Sequence, residues 1–186
     1  PNRFFDVGIA EEHAVTFAGG LAVGGMIPVV CIYSTFIQRS IDQIIHDVTL
    51  QNAHVIFMLD RAGAVPSDGV THQGIFDISL LRPIPKLNIL SVASAEDLKL
   101  CLEWASESKD ATVIRYPKLS CPTELPQFKT PVEIGRGIFI PCSEIIIENI
   151  SEVELENRKN KNLVVSTGGM FNEVHTAVRA TLMDNG

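Results

Sequence analysis

The chain has 186 residues, of which 46% are hydrophobic and 20% charged, and its formal net charge is -7. No apolar run approaches the ~18 residues of a membrane span, and the negative net charge argues against nucleic-acid binding. A chain of this length buries one full core and part of a second. The cysteines form no Cys-x-x-Cys pair, which indicates reduced cytosolic thiols, and the histidines show no metal-ligand spacing.

Apolar strand-like runs alternate with segments of helical periodicity along the first two thirds of the chain. This alternation is typical of βα units and predicts an α/β fold, with a mostly parallel sheet and helices on both faces. The predicted strands are Phe4 to Val7, Pro28 to Tyr33, Val55 to Leu59, Leu87 to Val92 and Thr112 to Arg115. The predicted helices are Glu11 to Val23, Phe36 to Gln51, Phe76 to Leu81 and Ala95 to Ser108.

Local signals support the starts of two predicted helices. Thr35 to Gln38 has the form of a capping box, and Ser94 precedes an acidic first turn. The first helix contains Gly19 and Gly20, each of which costs about 1 kcal/mol relative to alanine. We expect either close packing of another backbone against these glycines or a helix that ends at Gly19.

Four prolines between residues 117 and 131 predict an extended connection after the last strand of the sheet. We therefore expect a first domain at residues 1–120, a linker at 121–135 and the truncated start of a second α/β domain at 136–186. Both ends of the chain are typical of a piece cut from a larger polypeptide. The elements predicted for the second domain are Ile138 to Ile140, Glu144 to Ile150, Leu163 to Ser166 and a helix from Phe171 to Met183.

Polar residues and glycines crowd the loop from Asp60 to Arg82, which directly follows a predicted strand. Within it, Asp68-Gly69 is followed by the run Thr71-His72-Gln73-Gly74. Because open α/β sheets bind ligands at the carboxyl ends of their strands, the loop predicts a site for a small anionic or carbonyl ligand. An Asp-Gly pair is also what an ordinary tight turn uses, so a plain turn stays an alternative.

Two neighbouring strand ends bring further candidates to the same edge. Glu11 lies where the first predicted strand meets a helix, and Tyr33, Phe36 and Arg39 recur every three residues after the second strand. A flat heteroaromatic ligand would stack on Phe36 while a carboxylate binds one of its ring nitrogens. Ordinary interpretations also exist, since the helix dipole favours a glutamate at a helix start, and Phe36 suits a core and Tyr33 an interface.

These motifs together resemble the thiamine-diphosphate enzymes of the transketolase type, and among them the 1-deoxy-D-xylulose-5-phosphate synthase family. The resemblance covers residues 4–117, through Asp6-Val7-Gly8-Ile9-Ala10-Glu11, Tyr33-Ser34-Thr35-Phe36, Asp60-Arg61-Ala62-Gly63, Asp68-Gly69-Val70-Thr71-His72-Gln73-Gly74 and Arg115-Tyr116-Pro117. It implies the pyrimidine-binding domain of such an enzyme, followed by the start of the C-terminal domain.

The resemblance implies a transferase that condenses pyruvate with D-glyceraldehyde 3-phosphate, with loss of carbon dioxide, to 1-deoxy-D-xylulose 5-phosphate, a precursor of isoprenoids, thiamine and pyridoxal. The implied cofactors are thiamine diphosphate and Mg²⁺. In this family a Gly-Asp-Gly motif helps to bind the diphosphate and the metal ion, and this chain lacks that motif. A missing N-terminal domain, a homodimer and a fragment that is inactive alone are therefore expected. The implied location is the cytoplasm of a bacterium, or a plastid in a eukaryote.

The resemblance also implies roles for individual residues. Glu11 would bind N1′ of the cofactor's aminopyrimidine and promote its imino tautomer, and Phe36 would stack on the ring. Glu11 and His72 are the implied catalytic residues, His72 by handling protons on substrate oxygens. The implied substrate-binding residues are Tyr33, Arg39, Arg61, Asp68, His72 and Arg115.

Two positions depart from the family pattern. Glu12 stands where glutamine is common, and we expect it to point outward. Lys118 follows Arg115-Tyr116-Pro117, where an arginine and a glycine are usual. The alternatives are transketolase itself, the decarboxylating β-subunit of a 2-oxo-acid dehydrogenase, and a noncatalytic α/β assembly domain. Gln73 to Asp77 and Phe36 to Arg39 favour the synthase family over the first two, and the intact site residues count against the third.

Overall fold

The computed structural model describes residues 3–122, 124–138, 140, 164, 166 and 168–184. Within these residues, the centre of the fold is a parallel four-stranded sheet with the order β1-β2-β4-β3. The strands are β1 (Val29–Tyr33), β2 (Ile56–Asp60), β3 (Leu87–Ser91) and β4 (Ala111–Arg115). The α-helices are α1 (Glu11–Val23), α2 (Ile41–Gln43), α3 (Asp77–Leu81), α4 (Ala95–Glu107) and α5 (Phe171–Asp184).

β2 and β4 form the middle of the sheet and are buried on both faces, which explains why they are nearly continuous apolar runs. The strands pair in register, with Tyr33 of β1 beside Asp60 of β2 and Leu59 of β2 beside Arg115 of β4. The carboxyl ends of β1, β2 and β4 therefore lie side by side. The side of the sheet where these strands end is called its carboxyl edge.

Helices cover both faces of the sheet, which confirms the predicted α/β class. On one face, Ile37 and Val48 belong to the same buried cluster as Phe57 of β2. On the other face, Cys101 of α4 packs in a cluster with Ile114 of β4. Among the described residues, none of the helices has the length and apolar character that crossing a lipid bilayer requires.

α1 continues through both of its glycines to Val23, and the surroundings of Gly19 explain why. A Cβ built on Gly19 would lie 2.6 Å from the carbonyl oxygen of Asp47. A Cβ built on Gly20 would meet nothing within 4 Å. Close packing of another backbone, one of the two expected outcomes, is thus confirmed at Gly19.

The strand predicted at Phe4 to Val7 is wrong. The structure has no strand there, and the side chains of Phe4 and Phe5 are 75% and 56% exposed. An apolar run becomes a strand only where a neighbouring strand completes its backbone hydrogen bonds. In the described residues this segment pairs with no strand of the sheet.

The segment that follows β1 is helical, but it is not the single α-helix predicted at Phe36 to Gln51. It runs as a 3₁₀-helix at Phe36–Ser40, then α2, and then a π-helix at Ile44–Thr49. The capping box predicted at Thr35 is wrong, because Thr35 itself has helical backbone angles and its side chain makes no capping hydrogen bond.

α4 begins where predicted, and its cap explains the boundary. The hydroxyl of Ser94 accepts a hydrogen bond from the N–H of Asp97 at 3.1 Å. The carboxylate of Asp97 in turn accepts one from the N–H of Ala93 at 2.9 Å. These bonds satisfy backbone donors that a helix start would otherwise leave without partners.

The cysteines of the described residues are free thiols, as predicted. Cys31 and Cys121 are exposed, and Cys101 is buried in α4. Burial raises the pKa of Cys101 to about 12, so this thiol stays protonated at neutral pH. Cys142 lies outside the described residues.

Only part of the predicted second domain falls within the described residues. The strand predicted at Glu144 to Ile150 lies outside the described residues, as do parts of those predicted at Ile138 to Ile140 and Leu163 to Ser166. The last predicted helix is present as α5.

In the predicted linker, Phe128 is 1% exposed and packs edge-on against Phe171 with a centroid distance of 5.1 Å. The division of the chain into domains stays a prediction.

Alanine substitutions at the two glycines of α1 should change stability in opposite directions. A helix prefers alanine over glycine by about 1 kcal/mol. The new methyl group of Gly20→Ala would meet no other atom, so this substitution should stabilise the protein by up to that amount. Gly19→Ala should destabilise it by on the order of 1–3 kcal/mol, because the methyl group would press on Asp47. Urea unfolding measures both free energies, and equal effects would contradict the packing described for Gly19.

Candidate active site

Glu11 is the first residue of α1, and its side chain is buried in an ion pair. The residue is 8% exposed. Both carboxylate oxygens accept hydrogen bonds from Nη1 of Arg39, at 3.1 and 3.2 Å. The N-terminus of α1 also favours a negative charge at this position. Glu12, the next residue, is exposed, which confirms its predicted outward orientation.

Three aromatic side chains lie next to this ion pair. The rings of Tyr33 and Phe36 are nearly parallel, with an angle of 16° and centroids 5.9 Å apart. His72, from the loop after β2, meets Phe36 edge-on at 5.2 Å and Tyr33 at 6.5 Å. The guanidinium carbon of Arg39 lies 5.0 Å from the ring centroid of Phe36. Phe36 therefore contacts both the Arg39 ion pair and the loop that carries His72.

Asp68 forms a second ionic group with two cations. Its carboxylate accepts a hydrogen bond from Nζ of Lys118 at 2.6 Å and is paired with the guanidinium of Arg61. That guanidinium also lies 4.0 Å from the ring centroid of Tyr33. The hydrogen bond from Lys118 is the largest cause that lowers the pKa of Asp68, and Ser67 and Arg61 lower it further. The carboxylate therefore stays ionised to more acidic pH than an ordinary aspartate.

Arg115 lies at the same edge of the sheet, but a buried ion pair occupies its guanidinium. Nε donates to Oδ2 of Asp77 at 2.8 Å, and Nη2 donates to Oδ1 at 3.2 Å. Nη1 donates to the hydroxyl of Ser91 at 3.3 Å. The side chains of Arg115 and Asp77 are 11% and 1% exposed. These contacts favour a role in holding α3 and β3 together, and the predicted substrate contact of Arg115 stays a prediction.

The structure brings the other predicted site residues together in one cluster. The members of this cluster are Glu11, Tyr33, Phe36, Arg39, Arg61, Asp68 and His72. Lys118 joins it, although the sequence marked that position only as a departure from a family pattern. No local signal points to the contact, because Lys118 and Asp68 lie 50 positions apart.

A cavity of about 570 Å³ lies elsewhere, between β3 and the segment that follows Phe128. Its lining includes Asp97, Cys101 and Phe171, and none of the predicted site residues. Among the described residues, no group of three or more histidine, cysteine, aspartate or glutamate side chains is arranged to hold a metal ion. The candidate site is therefore defined by the chemistry of the cluster at the sheet edge.

The comparison with protein families agrees with this fold. The family model described as the transketolase pyrimidine binding domain matches residues 1–123, and the chain belongs to that family. A solved structure described as "Split gene transketolase, inactive beta4 tetramer" is 28% identical with a TM-score of 0.64, over 73% of this chain and 43% of that chain. Transketolase from Campylobacter jejuni, at 18% identity and a TM-score of 0.54 over 60% of this chain and 18% of that one, shares the fold.

Within this class, similar curated proteins include 1-deoxy-D-xylulose-5-phosphate synthases. That of Treponema pallidum (strain Nichols) is 55% identical over 186 residues, which is 100% of this chain and 27% of that protein. That of Colwellia psychrerythraea is 42% identical over 189 residues, which is 99% of this chain and 29% of that protein. The resemblance stated from the motifs is confirmed, and the chain spans less than a third of the length of these relatives.

Arg115→Met should destabilise the protein by on the order of 3–5 kcal/mol, because it leaves the carboxylate of Asp77 buried without its cation. Arg136→Met is the matched control, since it removes an exposed ion pair with Glu133, which water and salt screen, and should change the stability very little. Chemical unfolding of both variants measures the two free energies. An Arg115 variant as stable as the Arg136 variant would show that the buried pair contributes little.

Proposed function

We propose that this chain supplies the pyrimidine side of a thiamine-diphosphate site in a longer transferase. That transferase condenses pyruvate with D-glyceraldehyde 3-phosphate, with loss of carbon dioxide, to 1-deoxy-D-xylulose 5-phosphate. The observation that carries the proposal is a buried carboxylate, Glu11, and an aromatic ring, Phe36, which share the contact with Arg39 at the carboxyl edge of a parallel sheet. The names of the similar proteins support the choice of reaction.

Glu11 and Phe36 fit the aminopyrimidine by their chemistry. A buried carboxylate suits a hydrogen bond with a ring nitrogen, and a phenyl ring suits stacking on a flat heteroaromatic ring. When bound, thiamine diphosphate would supply a nucleophilic carbon that adds to the carbonyl of pyruvate, and a cationic ring that takes up the electron pair left when carbon dioxide leaves. Glu11 would hold the proton at the ring nitrogen. We expect Glu11 to give up at least one of its hydrogen bonds from Nη1 of Arg39 as it turns to the ring, which leaves that nitrogen available to a substrate.

We assign the acceptor substrate to the loop after β2. His72 packs against Phe36, so it lies next to the proposed pyrimidine position and can exchange protons with substrate oxygens. Arg61 and Lys118 are the cations that a phosphate group would share with Asp68. The proposed contact between the phosphate and Arg115 requires loss of its ion pair with Asp77. A substitution of Arg115 that leaves the acceptor KM unchanged would exclude that contact.

We propose that the ligands of the diphosphate and Mg²⁺ lie outside this chain, because it contains no Gly-Asp-Gly motif. We propose that the full-length protein is a homodimer. Its proposed location is the cytoplasm of a bacterium, or a plastid if the source is a eukaryote. The bacterial sources of the similar synthases support the first location. The split-gene transketolase, which is described as a tetramer, supports self-association in this superfamily.

A second candidate function is that of a subunit that is inactive alone and acts with a partner supplying the remaining domains. The similarity to a split-gene transketolase whose tetramer is described as inactive favours this candidate. Both candidates assign the same roles to Glu11 and Phe36. Mixing this chain with a separately produced N-terminal part tests the second candidate, because recovery of product formation supports it and a lack of recovery contradicts it.

Glu11→Ala, in the full-length protein that carries this chain, should lower kcat by about 10²–10⁴-fold, because the residue that holds the pyrimidine proton is lost. Glu12→Ala is the matched control, since it removes an exposed carboxylate one position along and should leave kcat unchanged. Formation of product from pyruvate and glyceraldehyde 3-phosphate, with thiamine diphosphate and Mg²⁺, measures both. An active Glu11→Ala enzyme would overturn the assignment.

A further inference from the structure

Gln73 forms a clamp inside the loop that carries Asp68 and His72. Its side-chain Oε1 accepts a hydrogen bond from the N–H of Val65 at 2.7 Å. Its Nε2 donates to the carbonyl of Val65 at 2.9 Å and to the carbonyl of Gly69 at 2.7 Å. The amide of Gln73 thus pairs with Val65 as a neighbouring strand would, and its second hydrogen holds Gly69.

The partners of Gln73 determine the orientation of its amide. Val65 offers one donor and one acceptor, so a flipped amide would set N–H against N–H and oxygen against oxygen. All of the donor capacity of the amide is used, because both of its hydrogens have a carbonyl partner. A side chain that lacks either the oxygen or the NH₂ group therefore cannot reproduce the clamp.

Val65 and the backbone on either side of the loop are held firmly by the rest of the fold. Val65 is 3% exposed, and at the base of the loop Gly63 and Gly74 exchange two backbone hydrogen bonds of 2.7 and 2.9 Å. A Cβ on Gly74 would lie 2.6 Å from Oγ of Ser34, so the chain directly after Gln73 packs closely against the end of β1. Gln73 therefore joins a fixed base to the exposed turn above it.

The turn, residues 66–72, has longer hydrogen bonds within its own backbone. The N–H of Asp68 donates to the carbonyl of Val65 at 3.2 Å, and the N–H of His72 donates to the carbonyl of Gly69 at 3.3 Å. Both distances are longer than those of the three bonds from Gln73. Much of the turn is exposed, with Val70 at 94%. The side chain of Gln73 thus supplies the short hydrogen bonds that hold the turn.

We propose that Gln73 is a positioning residue for the acceptor substrate, because its three hydrogen bonds hold the turn that presents Asp68 and His72. This inference rests on the proposed function. The 3₁₀-helix Val70–His72 lies between Gly69 and Gln73, so one side chain holds both of its ends. Without the clamp, His72 loses its fixed contact with Phe36, and Asp68 its fixed position between Arg61 and Lys118.

The test uses the full-length protein that carries this chain, with two variants of Gln73 and one control. Gln73→Met keeps the approximate volume but makes none of the hydrogen bonds, and Gln73→Glu keeps the shape but turns a carboxylate oxygen towards two carbonyls. Val70→Ala is the matched control, because it shortens an exposed side chain in the same loop. Hydrogen–deuterium exchange of residues 63–74, the KM values for both substrates and the melting temperature are measured for each protein.

We expect Gln73→Met to raise exchange in residues 63–74 and the KM for glyceraldehyde 3-phosphate by about tenfold each, with the KM for pyruvate unchanged. Gln73→Glu should raise both quantities further, and Val70→Ala should match the wild type. Unchanged exchange in Gln73→Met would overturn the clamp, and raised exchange with an unchanged acceptor KM would overturn the positioning role. A wild-type protein that forms no product refutes the proposed function instead, and the exchange measurement still decides whether the clamp exists.

Discussion

In-register parallel pairing makes β1, β2 and β4 end together, and the candidate site depends on this alignment. The chain that leaves each strand emerges beside its neighbours, which places Phe36 after β1, His72 after β2 and Lys118 after β4 at one edge. α1 adds Glu11 at the same edge through its pair with Arg39. A slip of one residue in the pairing would exchange the two faces of a strand and shift its end by one residue relative to its neighbours. The register of the strands therefore fixes which residues meet at the site.

Two ionic groups lie on either side of the aromatic cluster, and they suit different partners. The Glu11–Arg39 pair offers a buried carboxylate next to a flat ring, whereas Asp68 lies between two cations beside Tyr33. The chain has a formal net charge of -7, so attraction of an anionic substrate must come from local cations and not from the charge of the whole chain. In both groups each charged side chain already contacts one of opposite charge. We therefore expect a ligand to bind by exchanging hydrogen bonds with these groups.

Much of the fold and the membership of the site were predictable from the sequence, for identifiable physical reasons. The strands of the sheet centre are apolar because both faces are buried, and polar residues at strand ends predict a shared edge. The strand prediction at Phe4 to Val7 is wrong, because an apolar run carries no information about whether another strand will pair with it. The ion pair of Arg115 with Asp77 joins positions 38 apart. A motif that contains an arginine does not tell whether its guanidinium is available to a ligand.

We propose that Glu11 and Phe36 receive the pyrimidine ring of thiamine diphosphate, and a crystal structure of the full-length protein with thiamine diphosphate and Mg²⁺ is the test. We expect the ring to stack on Phe36, a ring nitrogen to lie within hydrogen-bonding distance of Glu11, and Arg39 to turn away from at least one carboxylate oxygen. A bound cofactor whose ring lies elsewhere, with the Glu11–Arg39 pair unchanged, would exclude these roles for Glu11 and Phe36.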